Sequence, residues 1–174
     1  MKAIIKYISL RDINLLKIIN NSWKCKFLDI IMPAMTYLGS FSFMFVFCTV
    51  VFLLKGDTLH AMAVRAMISI TISTGIGKIL KMTVTRLRPF INIPNLNIKK
   101  IGIDKYSFPS GHTTGAFSLA IIIALYFPMF GFITIPLACG VGISRIYIGV
   151  HYPTDVIVGI FIGTICSILT YKFF

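Results

Sequence analysis

Three short blocks of this 174-residue chain carry the side chains that could do chemistry. The first is Lys81, six further residues, then Arg88-Pro89. The second is Pro109-Ser110-Gly111-His112. The third is Ser144-Arg145, five residues, His151, three residues and Asp155. Each residue type suits a phosphate ester. Lys81, Arg88 and Arg145 supply fixed positive charge, and guanidinium groups match phosphate oxygens in a bidentate fork. Lys81 and Arg88 are seven apart, two turns of a helix, so they are expected on one side, converging on one anion. Ser110 and Gly111 precede an apolar run. At the start of a helix, the Ser110 hydroxyl and the first free amides would face an anion, and glycine leaves room for close approach.

Two of the three histidines, His112 and His151, fall in these blocks. Phosphoryl transfer needs a nucleophile or base, plus an acid for the leaving group. Asp155, four residues after His151, can hold its imidazole in one tautomer and support the charge that develops there. The residues alone leave open which histidine attacks. Three cations, two histidines and an acid from distant parts of the chain must then meet at one place.

The elements that could bring them together are membrane helices. The chain is 57% hydrophobic and only 13% charged, where a soluble domain carries roughly a quarter charged residues. No Asp, Glu, Lys or Arg occurs from Ile30 to Leu54, from Tyr106 to Ser144 or from Val156 to Tyr171, and about 20 apolar residues span a bilayer as a helix. Five spans are expected: 27–54 with a break near Gly39, 58–85, from about His112 to Pro128, from Gly131 to Arg145, and from Pro153 to Lys172. Pro89 should stop the second span with Arg88 as the helix end. Residues 1–26 mix Lys2, Lys6, Arg11, Lys17, Lys24 and Lys26 with aliphatic residues, the pattern of a helix lying on the membrane surface. The expected fold is therefore all-α: one domain over 1–174, an interfacial segment (1–26) and a transmembrane bundle (27–174). With five spans, the end of the second, the start of the third, the end of the fourth and the start of the fifth share a face, which places all three blocks there. Ionisable groups at a membrane are functional by default.

The net charge of +12 arises from 17 Lys and Arg against five acidic residues, all Asp. It points to anionic headgroups or a phosphate-bearing substrate. Nucleic acid fits poorly, because the basic residues flank apolar spans and form no stripe on a soluble element. Without Glu there is no carboxylate cluster to build a magnesium site. Cys25, Cys48, Cys139 and Cys166 have neither zinc-site nor disulfide spacing and read as buried free thiols. Lys6, Arg11, Asp12 and Lys17 interrupt any cleavable signal sequence. His60 and Arg65 should anchor the second span at the opposite face, Lys78 and Arg86 read as interfacial anchors with headgroup contact as a candidate role, and Trp23 suits the interfacial belt. The polar connection from Asn92 to Lys105 carries Lys99, Lys100 and Lys105 against Asp104, and should favour a diphosphate.

The three blocks, complete and in order, resemble the signature of the type 2 phosphatidic acid phosphatase superfamily, also called PAP2. The Leu28-Asp29 run and the run from Gly142 to Asp155 are similar as well. In size and layout the chain looks most like the bacitracin-resistance type of bacterial undecaprenyl-diphosphate phosphatase, although Gly111 stands where that type carries Asp. The resemblance implies that His151 attacks phosphorus to give a phosphohistidine, oriented by Asp155, and that His112 protonates the leaving oxygen and later assists water. It implies that Lys81, Arg88, Ser110, Gly111 and Arg145 hold the phosphoryl oxygens, without a metal or other cofactor. The implied substrate is a lipid phosphate or diphosphate reached from the outer membrane face, whereas the basic tail on the site-bearing face would by itself indicate the cytoplasm. Phosphatidylglycerophosphate or phosphatidic acid is the alternative substrate. A vanadate-dependent haloperoxidase shares the anion site but is soluble, and a non-catalytic lipid-binding or transport protein would not need both histidines and Asp155.

Overall fold

A computed structural model describes residues 2–98 and 104–174. Lys99 and Lys100 lie outside the described residues. Helices make up the architecture: α1 (Lys2–Lys17), a π-helical turn (Ile18–Ser22), α2 (Lys26–Leu38), α3 (Phe41–Leu53), α4 (Asp57–Val84), α5 (Pro89–Asn92), α6 (Gly111–Tyr126), α7 (Pro128–Tyr147) and α8 (Pro153–Phe173). Three of them begin on proline: α8, as expected, together with α5 and α7, the last starting at Pro128 rather than at Gly131. Among the described residues the sole β pairing is an isolated bridge between Leu87 and Tyr106.

Helices α4, α7 and α8 are long and apolar enough to cross a membrane. The pair α2 and α3 is a fourth candidate, bent by 56°. The bend falls at Gly39-Ser40, where a break was expected. Ser40 caps α3 by accepting a hydrogen bond from the Phe43 amide at 3.2 Å. A Cβ on Gly39 would lie 2.5 Å from Val141 Cγ1 and 2.9 Å from the His112 carbonyl oxygen. Glycine is thus what lets the bend close over the start of α6.

Helix α6 has 16 residues, short for a span, and it is the hub of the bundle, packed on α4, α7 and α8. Residues Thr113 to Ala120 are all buried. Its contact with α8 runs along Gly159 and Gly163, spaced so that both face the same way. A Cβ on Gly163 would come within 2.4 Å of the Thr114 carbonyl oxygen, so small residues set this close approach. Serine hydroxyls add a second layer: Ser73 meets Ser118 at 2.8 Å, and Ser69 meets Ser167 at 3.0 Å. All four are buried, and each has a partner.

Helix α4 ends earlier than Pro89 alone dictates. It stops at Val84, and Thr85 takes a left-handed conformation with φ 47°. Arg88 is extended and precedes α5. The expectation that Lys81 and Arg88 sit two turns apart on one helix is therefore corrected: a reversal of the chain, not helical periodicity, brings them together. The Ser107 amide donates to the Arg86 carbonyl at 2.8 Å and pins that reversal.

Helix α1 docks on the start of α8, on the end of the bundle that carries the blocks. Leu16 and Ile19 are buried, while Tyr7, Ile8, Leu10 and Leu15 are exposed. At the other end Arg65 contacts Tyr126 and lies over the Tyr171 ring, while His60 packs on Phe52. Of the four cysteines, Cys48 and Cys166 are buried but Cys25 and Cys139 are exposed. The all-buried expectation fails because Cys139 lies on an outer face of α7 and Cys25 precedes α2.

Candidate active site

The blocks meet where the C-terminal ends of α4 and α7 face the N-terminal ends of α6 and α8. His151 lies in the turn between α7 and α8 and is 1% exposed. Its Nδ1 faces Asp155 Oδ2 at 3.5 Å, longer than a made hydrogen bond. Its Nε2 lies 3.2 Å from Arg88 Nη1. An arginine can only donate, so Nε2 is the acceptor here, which puts the ring proton on Nδ1, toward Asp155. Burial, with Arg145 and Arg88, pushes His151 down to about 4 against the opposing pull of Asp155. The ring is neutral at pH 7, with its lone pair turned toward the cations.

Asp155 is the third residue of α8 and is fully buried. Its Oδ2 accepts from the Tyr152 amide at 2.9 Å, capping the helix. Its carbonyl oxygen accepts from the Ser110 amide at 3.0 Å, tying the starts of α6 and α8 together. The Ser110 hydroxyl, expected to face an anion, is 2.9 Å from Thr113 Oγ1 and buried. A Cβ on Gly111 would meet no atom within 4 Å, so packing does not demand glycine there, and the space above α6 is free for a ligand.

Arg145 stands at the end of α7, 3% exposed, and its Nε and Nη1 are buried without a hydrogen-bond partner among the described residues. A buried guanidinium with unsatisfied donors is costly unless an anion completes it. Ser144 next to it fixes the helix: its hydroxyl is 2.6 Å from Thr36 Oγ1 on α2. Arg145, His151, Arg88 and Lys81 all lie near enough to His112 to act on it electrostatically. Lys81 and Arg88 converge on one carboxylate, Asp104. Lys81 Nζ is 2.7 Å from Oδ2, and Arg88 pairs with Oδ1 and donates from Nε to the Asp104 carbonyl at 2.6 Å. Hydrogen bonds from both cations hold the Asp104 carboxyl below the usual range, although burial opposes them.

Two residues at the site escaped the spacing argument. Arg86, a candidate for headgroup contact, turns inward instead. Its Nη1 donates to Asp155 Oδ1 at 2.9 Å and to Thr154 Oγ1 at 2.7 Å, and its Nη2 to Asp12 Oδ2 at 2.6 Å. Asp12, from α1, also accepts from the Thr154 amide at 2.9 Å. The available signal was compositional: Asp12 is the single acid among the basic residues of the tail. Among the described residues no group of three or more His, Cys, Asp or Glu could hold a metal ion.

A family profile described as the PAP2 superfamily matches residues 62–174. The chain is 37% identical over 111 residues to the bacitracin transport permease protein BcrC of Bacillus licheniformis, covering 63% of this chain and 54% of that protein. It is 33% identical over 111 residues to an undecaprenyl-diphosphatase of Sulfolobus acidocaldarius, covering 62% of this chain and 52% of that one. It thus spans about half the length of these two relatives. The crystal structure of Aquifex aeolicus LpxE superposes with a TM-score of 0.81 at 30% identity, over 92% of this chain and 94% of that one.

Proposed function

The chain belongs to the PAP2 superfamily, and from that premise we propose that it is an integral membrane phosphatase that removes the terminal phosphate of a polyprenyl diphosphate. The observation that carries the reading is the pairing of a buried, neutral His151 with unsatisfied donors on Arg145. A phosphoryl group bound there would complete the guanidinium and meet the imidazole lone pair.

In this scheme Arg88, Arg145 and Lys81 take the phosphoryl oxygens, with the free amides at Gly111 and the start of α6, and Ser110 shapes that turn. His151 Nε2 attacks phosphorus as the bond to the leaving oxygen breaks. Asp155 stabilises the imidazolium, and His112 gives its proton to the leaving oxygen. His112 then takes a proton from water, which attacks phosphorus, and the phosphorus–nitrogen bond breaks to release phosphate and restore His151. No metal or cofactor enters the scheme.

Five spans carry the site: the bent α2–α3 pair, α4, α6, α7 and α8, with α1 on the membrane surface. The site-bearing end faces the outside. An apolar cleft of about 140 Å³, lined by Leu38, Phe43, Phe47, Ala116, Leu119 and Val141, begins beside Gly39, which packs on His112. It supports a substrate with a long apolar chain. The diphosphate is favoured by its better leaving group and by the likeness to a relative named undecaprenyl-diphosphatase.

The test is phosphate release by the purified chain from undecaprenyl diphosphate, phosphatidylglycerophosphate and phosphatidic acid. The diphosphate should give the highest kcat/KM, and His151→Ala should lower turnover by about 1,000-fold or more on every substrate. Chelator should have no effect. A tenfold preference for phosphatidylglycerophosphate would replace the substrate assignment, and normal turnover by His151→Ala would end the phosphohistidine scheme.

A further inference from the structure

The two oxygens of Asp155 are divided between different partners. Oδ2 accepts from the Tyr152 amide and faces His151 Nδ1, while Oδ1 accepts from Arg86. Arg86 lies with its guanidinium 3.8 Å from the centre of the Tyr152 ring and is held on its far side by Asp12 and Thr154. The side chains of Asp12 and Asp155 have no exposed surface, so one guanidinium offsets two buried carboxylates. Without Arg86, Asp12 would be a buried charge with only Thr154 beside it, costly enough to be driven to protonate, whereas Asp155 keeps the Tyr152 amide and faces His151 Nδ1.

We propose that Arg86, anchored by Asp12 of α1, is a positioning residue for the nucleophile: it fixes the Asp155 carboxylate so that Oδ2 is presented to His151 Nδ1. The proposal rests on His151 being the nucleophile, as argued above. Arg86 touches no reacting atom and acts only through Asp155. A carboxylate free to rotate would offer either oxygen and loosen its hold on the ring. Held by Arg86, it keeps the proton on Nδ1 and the lone pair on Nε2. Through Asp12 the surface helix α1 becomes part of the active site, although it supplies nothing that meets substrate.

The arrangement has an electrical consequence with a definite sign. The groups that face His151 are Asp155 from α8, Arg145 from α7, His112 from α6 and Arg88 before α5, with Arg86 and Asp12 behind Asp155. Arg86 opposes protonation of His151 by offsetting Asp155. Without it, Asp155 acts on the ring uncompensated, so the imidazolium becomes easier to form.

The chain has three histidines, so nitrogen-15 histidine labelling of the full-length protein in detergent can follow His151 by NMR, assigned with His→Gln variants. Arg86→Gln should lower kcat by about tenfold or more with KM within about twofold, and raise the His151 titration by about one unit. Arg86→Lys, which keeps the charge without the fork, should leave the titration near wild type and lower kcat less. The Asp12→Asn/Arg86→Gln double variant removes the stranded carboxylate. It should recover thermal stability lost in Arg86→Gln while the raised titration and low kcat persist, and it carries the test if Arg86→Gln alone does not fold. An unmoved His151 titration, or recovery of kcat together with stability in the double variant, would reduce Arg86 and Asp12 to a structural clamp for α1. The titration needs no turnover, so absence of hydrolysis of every lipid phosphate would defeat the functional reading without deciding this one.

Discussion

The Asp104 carboxylate bridges Lys81 and Arg88, the two cations of the first block. A phosphate approaching those cations must compete with it. Each pair is solvent-accessible on the acid's side, and exposed pairs contribute about 0.2–1 kcal/mol, so the competition is modest. Asp104→Asn keeps the backbone carbonyl that orients Arg88 and removes the competing charge, and should lower the inhibition constant of orthophosphate about threefold. The sign with pH follows from its partners. Lys81 and Arg88 hold the Asp104 carboxyl below the usual range, so wild type and variant should differ across neutral and mildly acidic pH. They should converge only when Asp104 itself takes up a proton. An equal or weaker phosphate affinity in Asp104→Asn would show that the carboxylate orders the cations rather than competing with substrate. His151 behaves differently: with its ring held down at about 4 by burial and by Arg145 and Arg88, its imidazole should stay unprotonated into mildly acidic solution.

At the scale of elements, the contact between α6 and α8 sets the distance between the second and third blocks. Gly163 is the tightest point, because what a Cβ would strike is the backbone oxygen of Thr114, not a side chain that can turn away. Gly163→Ala should cost about 1–3 kcal/mol of stability, as overpacking does elsewhere, and should lower kcat by moving His112 relative to Asp155. Gly75 provides the contrast. It is exposed within α4, and a Cβ there meets nothing within 4 Å. Gly75→Ala should raise stability by about 0.5–1 kcal/mol, because alanine loses less entropy in a helix. Thermal unfolding in detergent checks both, and equal effects would mean that the α6–α8 contact is softer than its geometry.

For the whole molecule the deciding question is which ends of the helices share a membrane face. In a background with Cys25, Cys48, Cys139 and Cys166 replaced, single cysteines at Ser9 and Asn95 should react with a membrane-impermeant thiol reagent from one side and a cysteine at Gly56 from the other. In intact cells Ser9 and Asn95 should label first, with the site outside. Labelling of Asn95 and Gly56 together would overturn the five-span arrangement. Labelling of Gly56 alone in intact cells would keep that arrangement and turn the site to the cytoplasm, as the basic tail by itself would have it.

The sequence alone determined the residues of the blocks, the all-helical class and the break at Gly39. These follow from local signals: hydropathy over about 20 residues, proline at helix starts, and side-chain types suited to one chemistry. It also located the common end of the bundle, because the order of helices constrains which ends coincide. Tertiary structure decided what spacing could not. Lys81 and Arg88 meet through the left-handed turn at Thr85 and the Leu87–Tyr106 bridge, a reversal that helical periodicity does not encode. Asp104 joins them because Tyr106, two residues on, is held by that reversal. Arg86 turns inward because two carboxylates, from residues 12 and 155, are buried on either side of it. A charged side chain at a helix end looks the same in sequence whether it meets water, a headgroup or a buried acid. Only the packing of α1 against α8, 142 residues apart at the Asp12–Thr154 contact, distinguishes these, because burial makes the partner obligatory.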